Sequence, residues 1–162
     1  MDNYNQKNGG QGRFKGGAYG KMDGSRSFGG DNDSPEKAWN SANYQSKWIR
    51  EGIDDIFPDF AEKIGKYIAE NGLTSSKIRS IYGEIKRIQM GDFEKEKSSF
   101  FLLRPKVAYA LGREKTNKGL QMFKIMFDAC FVDVKDKASF LHFCDFLEAV
   151  LAYHKFYVKK DN

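Results

Sequence analysis

Six basic residues lie close enough in the chain to act together: Lys77, Arg79, Lys86, Arg87, Lys106 and Arg113. Fixed cations of this kind work on phosphates, because each phosphate they neutralise releases condensed counterions. The charge map singles out the same stretch. Residues 77–118 hold eleven basic groups against five acidic ones, whereas residues 31–76 hold five against nine. Residues 119–162 carry six of each, and residues 1–30 carry five basic groups against two acidic. Two positive zones thus flank an acidic one, and one of them lies in sequence able to fold. A nucleic-acid backbone selects for such clustering. A solvated lysine-rich surface has the same charge, so charge alone leaves both readings open.

Groups for bond-breaking chemistry do not assemble. His142 and His154 are twelve residues apart, about three and a third helical turns, so they do not converge on one proton or one metal. His154, near Lys155 and Tyr157, has the chemistry to take a 2′-hydroxyl proton in RNA cleavage. It falls in line with an apolar stripe, however, which predicts packing or capping. Cys130 and Cys144 sit inside apolar runs and read as buried core thiols, neither a disulfide framework nor a metal clip. No glycine-rich loop followed by a lysine and a hydroxyl is present for nucleotide binding. Asp54-Asp55 precede a helix and read as compensation of its positive end. The expectation is a protein without cofactor or metal and without enzymatic activity.

Stepping along the chain gives the elements that position the cations. Residues 1–33 read as a disordered basic tail. Nine of the sixteen glycines fall within residues 1–30, and Tyr4, Phe14, Tyr19 and Phe28 are isolated, too little apolar surface to offset the entropy of ordering. Gly12-Arg13-Phe14-Lys15-Gly16-Gly17 resembles the glycine, arginine and aromatic tails that meet single-stranded RNA; an inert solubilising tail fits equally. Residues 34–57 read as a linker with one short helix opened by Ser34-Pro35-Glu36, carrying Trp39 and fading near Asn43.

Residues 58–162 read as the bundle domain. A helix opens at Pro58-Asp59, with Phe60, Ile64, Tyr67 and Ile68 at helical spacing, and closes at Asn71-Gly72. The next helix, capped by Leu73-Thr74-Ser75-Ser76, has an apolar face of Ile78, Ile81, Tyr82, Ile85 and Ile88. Arg79 and Lys86 fall on one flank of that face, with Gly83 between them and Arg87 further round. Gly83 costs about 1 kcal/mol against alanine, and close approach of another backbone, RNA or a neighbouring helix, would account for it. A helix from Phe93 to Lys115 is expected to break or kink at Pro105. Arg104, Lys106 and Arg113 project from its polar sides, while Val107, Ala110 and Leu111 line its apolar stripe. Leu120, Phe123, Phe127, Cys130 and Val134 form a further face. The last helix, about Lys137 to Val158, is apolar around much of its circumference, which suits the centre of a bundle or a contact with another copy. No segment alternates as a half-buried strand does. The fold class is all-α, a compact bundle of about five helices with a disordered glycine-rich N-terminal tail. No apolar run reaches the roughly 18 residues a membrane span requires, and the polar N-terminus lacks a signal peptide's apolar stretch, so a cytoplasmic protein is expected.

Three stretches together resemble the small-subunit family of the Csm-type (type III-A) CRISPR effectors. They are Asn71-Gly72-Leu73-Thr74-Ser75-Ser76-Lys77-Ile78-Arg79 with Ile85-Lys86-Arg87-Ile88, then Leu103-Arg104-Pro105-Lys106-Val107 through Leu111-Gly112-Arg113, then Phe143-Cys144-Asp145-Phe146 through Tyr153-His154-Lys155. The resemblance implies a small, non-catalytic helical subunit, present in copies beside the backbone subunits of a ribonucleoprotein. Its partners would be guide RNA and target RNA, backbone subunits, the large subunit and further copies of itself. Target cleavage would belong to the backbone subunits, and DNA cleavage and cyclic-oligoadenylate synthesis to the large subunit. Lys77, Arg79, Lys86 and Arg87 fall in the first motif, Lys106 and Arg113 in the second. All six are expected to meet duplex phosphates. The glycine-rich tail is not part of the resemblance. A free-standing single-stranded RNA binder driven by that tail, and a pure protein scaffold without RNA contact, are the competing readings.

Overall fold

A computed structural model describes residues 34–159. Local chemistry sets the helix ends. Ser34 opens α1 (Pro35–Ala42): its hydroxyl accepts from the Lys37 amide, Pro35 takes the first helical position, and Asn43 leaves the helix at φ 62°. A four-residue helix, α2 (Lys47–Arg50), follows, and then α3 (Phe57–Glu70). Gly72 ends α3 at φ +91°, and the Leu73 amide donates back to the Ile68 carbonyl at 3.1 Å, the closing bond of a left-handed helix end. The remaining elements are α4 (Ser75–Met90), α5 (Phe93–Arg113), α6 (Lys118–Phe131) and α7 (Lys137–Tyr157). Asp92, Asn117 and Asp136 cap the last three, each side chain accepting from an amide of the first turn. At α7 the cap is reciprocal, because Ser139 also accepts from the Asp136 amide.

The broad apolar circumference of α7 has a simple cause: the helix packs against α2, α3, α4 and α5. Phe140, Phe143, Phe146, Leu147 and Val150 are all buried along it. At one end of the core Trp48 lies 4.9 Å from Phe60 and 5.3 Å from Phe57, with its indole donating to Asp54 at 2.7 Å. At the other, Phe93 stacks on Phe140 at 4.6 Å and Phe100 on Phe131 at 4.7 Å. Such pairs each add about 0.5–1.5 kcal/mol beyond the area they bury. The isoleucines of α4 (Ile78, Ile81, Ile85 and Ile88) all face inward, as their spacing predicts. Cys130 and Cys144 are both buried and unpaired; burial pushes the Cys144 thiol up to about 12.

The chain is all-helical among the described residues, with seven helices rather than about five. Beyond the five of the expected bundle stand α1, the short helix expected before it, and α2, which is too short to show periodicity although Trp48 and Ile49 on it are fully buried. Residues 34–57, read from sequence as a linker with one short helix, thus hold two helices and part of the core. Helix α5 is not broken at Pro105 but runs continuously from Phe93 to Arg113. Pro105 lies on the exposed side of α5, as do Phe101 and Leu102. The hydrogen bond it cannot make therefore leaves the Phe101 carbonyl on a solvent-facing turn, where water satisfies it. Residues 1–33, the expected tail, lie outside the described residues. No described helix is long and apolar enough to cross a membrane.

Candidate nucleic-acid interface

Helix α4 runs between α5 and α7, so its polar residues fall on two flanks. Toward α7 a shallow groove is lined by Arg79, Tyr82, Glu148, Leu151 and Lys155. Toward α5 a second groove is lined by Lys77, Ser80, Glu84, Leu102, Pro105, Lys106, Tyr109 and Arg113. The six cations are therefore not one patch. Lys77, Lys106 and Arg113 come together on the α5 side, Arg79 and Lys86 share the α7 side, and Arg87 reaches from α4 to the start of α5.

Half of the six are already engaged. Lys77 pairs with the Glu114 carboxylate just past the end of α5. Lys86 donates to Glu148 of α7 at 2.9 Å and to Gln89 at 3.2 Å, and sits 5.4 Å from the centre of the Tyr82 ring. Arg87 grips two carboxylates, Glu84 at 2.9 and 3.2 Å and Glu96 at 3.0 Å through both oxygens. The forked guanidinium suits that geometry. The ion pairs move the titrations as expected. Hydrogen bonding to Arg87 holds the Glu84 and Glu96 carboxyls below the ordinary carboxylate value, and Lys77 does the same to Glu114. Glu148 raises the Lys86 ammonium, and Glu84 and then Glu96 raise the Arg87 guanidinium.

Arg79, Lys106 and Arg113 behave differently. All three are exposed, and none makes an ion pair or hydrogen bond among the described residues. Lys106 and Arg113 share a face with two residues that sequence reasoning did not select, Leu102 and Tyr109. Positions 102, 106, 109 and 113 follow the i, i+4, i+7, i+11 spacing of one helical stripe, opposite the buried Val107. That spacing is the signal the sequence offers for them, beside the apolar stripe of the same helix. Arg104, also on α5, is instead tied to Asp128 at 3.0 Å. Gly83 has no heavy atom within 4 Å of where a methyl would sit. No neighbouring helix among the described residues explains it.

His154 borders the groove toward α7, whereas His142 lines neither groove. His154 is buried with Nε2 2.6 Å from the Leu73 carbonyl, and His142 has Nδ1 3.0 Å from the Ile49 carbonyl. A carbonyl only accepts, so each of those ring nitrogens carries the hydrogen. His154 thereby ties α7 to the α3–α4 turn, the capping role its place in the apolar stripe suggested. No group of three or more His, Cys, Asp or Glu among the described residues is arranged to hold a metal ion.

Cations on an exposed helical scaffold can bind and orient an anion. No curated protein and no solved structure matches the chain. A family model described as Csm2 Type III-A matches residues 53–160, about two thirds of the chain including all six of these cations, and the chain belongs to that family.

Proposed function

We propose that this chain is the non-catalytic small subunit of a cytoplasmic type III-A CRISPR ribonucleoprotein, in which it contacts the guide–target RNA duplex through phosphates. Its protein partners are the backbone subunits, the large subunit and further copies of itself. The observation that carries the RNA contact is the pair Lys106 and Arg113, exposed on one stripe of α5 without any carboxylate of their own. With Arg79 on the other flank of α4, they are the direct phosphate contacts. Lys77, Lys86 and Arg87 contribute to the field while holding α4 to its neighbours. Any target that pairs with the guide has to be accepted, so contacts go to phosphate and sugar and base pairing supplies the specificity. Repeated copies let weak single contacts suffice. Residues 34–159 act as one folded unit, with residues 1–33 as an appended basic tail.

The test is charge reversal in the assembled complex. Lys106→Glu with Arg113→Glu is expected to weaken target-RNA binding about equally for all target sequences. The slope of log affinity against log salt should fall by about two counterions, one per cation. A loss confined to some sequences would refute phosphate contact.

A pure scaffold is favoured by one observation: Phe101, Leu102 and Pro105 leave an apolar strip exposed along α5. Unchanged RNA affinity in the charge-reversed complex would select it. The tail-driven single-strand binder predicts instead that deleting residues 1–30 abolishes RNA binding.

A further inference from the structure

Tyr109 is 69% exposed, although it stands on a well-formed turn of α5. Its hydroxyl has no hydrogen-bond partner and its ring no ring or cation contact among the described residues. It does nothing for its own fold. Lys106 lies three residues before it and Arg113 four after it, so one unpaired cation sits about a turn to either side on the same stripe. Leu102 and Pro105 extend the apolar surface of the groove on the N-terminal side. The two carboxylates near this groove are both committed, Glu84 to Arg87 and Glu114 to Lys77. The uncommitted charges that remain there are positive. An anionic ligand with a flat apolar part fits this arrangement, and a peptide, which needs acidic side chains spaced to match, fits it less directly.

We propose that Tyr109 is a stacking platform for one unpaired nucleobase, with Lys106 and Arg113 holding the phosphates on its two sides. The inference rests on the RNA-contacting function above and sharpens it. Within a duplex both faces of a base are covered by its neighbours, so an aromatic ring reaches only a base that is splayed out, at a helix end or in a single strand. Tyr109 therefore marks where this subunit meets nucleotides outside the continuous duplex, while Arg79 on the opposite flank of α4 meets phosphates alone.

The experiment uses the full chain at low salt with a short oligouridine carrying one 2-aminopurine, whose fluorescence is quenched when it stacks on an aromatic ring. Wild type and Tyr109→Phe should both quench it, and Tyr109→Ala should not. Tyr109→Ala should also weaken binding, read by anisotropy, by roughly ten-fold, the scale of one base–aromatic stack. The same probe inside a fully paired duplex, already quenched by its neighbouring bases, should show no further change when the protein is added. Absence of quenching by the wild type overturns the inference, as does a Tyr109→Ala chain that binds and quenches normally. If Lys106→Glu still weakens RNA binding in that case, RNA contact survives and only the stacking fails. If Lys106→Glu with Arg113→Glu also leaves affinity unchanged, the RNA-contacting function fails with it. If Tyr109→Ala spares RNA binding and instead loses a protein subunit from the assembled complex, the groove docks protein and the inference is wrong.

Discussion

Where α3 crosses α7 the two backbones leave no room for a side chain, whereas where α4 runs beside α5 much of the surface is uncommitted. A methyl on Gly65 of α3 would lie 2.6 Å from Tyr153 Cβ and 2.7 Å from the Val150 carbonyl oxygen. Methyls on Gly83 of α4 and Gly112 of α5 would meet nothing within 4 Å. The same residue type thus has opposite meanings on the two sides. On the α3–α7 side the fully buried polar side chains find partners inside the chain, as the His154 ring does on the Leu73 carbonyl. On the α4–α5 side Lys106, Tyr109 and Arg113 make no hydrogen bond or ion pair among the described residues. Stability is concentrated in the first region, and the second holds residues whose contacts must come from elsewhere.

The largest effect expected from breaking this contrast is at Gly65. Gly65→Ala forces two helices apart at backbone atoms, which cannot rotate away as a side-chain end can. The loss should be about 3 kcal/mol, the upper part of the range for overpacked cores, and a large share of the total for a domain of this size. Denaturant unfolding of the full chain measures it. A change below about 0.5 kcal/mol would mean the crossing can open easily, and the contrast would lose its rigid side.

The two regions were also unequally legible in the sequence. The inward face of α4, the cap at Ser34 and the turn at Gly72 follow from spacing and residue type alone, because each depends on neighbours within a turn. The role of α2 was hidden because four residues carry no period, and only burial of Trp48 and Ile49 reveals it. Of the break or kink expected at Pro105, the break does not occur: the helix continues through it, on a turn that faces solvent. The cations were visible, but not their commitments. The partners of Arg87, Lys77 and Lys86 lie 9, 37 and 62 residues away in sequence. Charge counting could therefore not separate Lys106 and Arg113, which make no ion pair among the described residues, from Lys77, which makes one. Tyr109 was legible in principle, at i+3 from Lys106 and i−4 from Arg113.

A medium effect, of the opposite sign, is expected at Gly83. The position is mid-helix and open, so Gly83→Ala should stabilise the isolated chain by about 1 kcal/mol through helix propensity and a less flexible unfolded state. Natural retention of a residue with that cost would make sense if a partner's backbone seats against it. Assembly with the other subunits should then weaken even as the melting midpoint rises. If stability rises and assembly is untouched, Gly83 is only an unoptimised surface position, and the uncommitted region shrinks to the α4–α5 groove itself.

The smallest effect belongs to the ion pairs that bind α4 to α5. The Glu114 carboxyl is held below its ordinary value of 4.5 chiefly by its hydrogen bond from Lys77, and Glu84 and Glu96 are held below theirs by Arg87. A carboxyl with a lowered folded-state pKa adds stability that is fully present above 4.5 and is lost as the pH falls below it through the lowered value. Glu114 is exposed and Glu84 and Glu96 lie half-buried at the surface, so solvent and salt screen most of that contribution. Glu114→Gln at neutral pH should therefore lower the melting midpoint by an amount close to the precision of the measurement, and high salt should erase the difference. The same change removes a negative charge beside Lys106 and Arg113 and releases Lys77, so the assembled complex should bind target RNA more tightly and with a steeper salt dependence. A large loss of stability in Glu114→Gln would show that charge, not packing, holds α4 to α5. Lys77 would then be a structural residue rather than a reserve cation, and the division between a closed side and an open one would have to be drawn elsewhere.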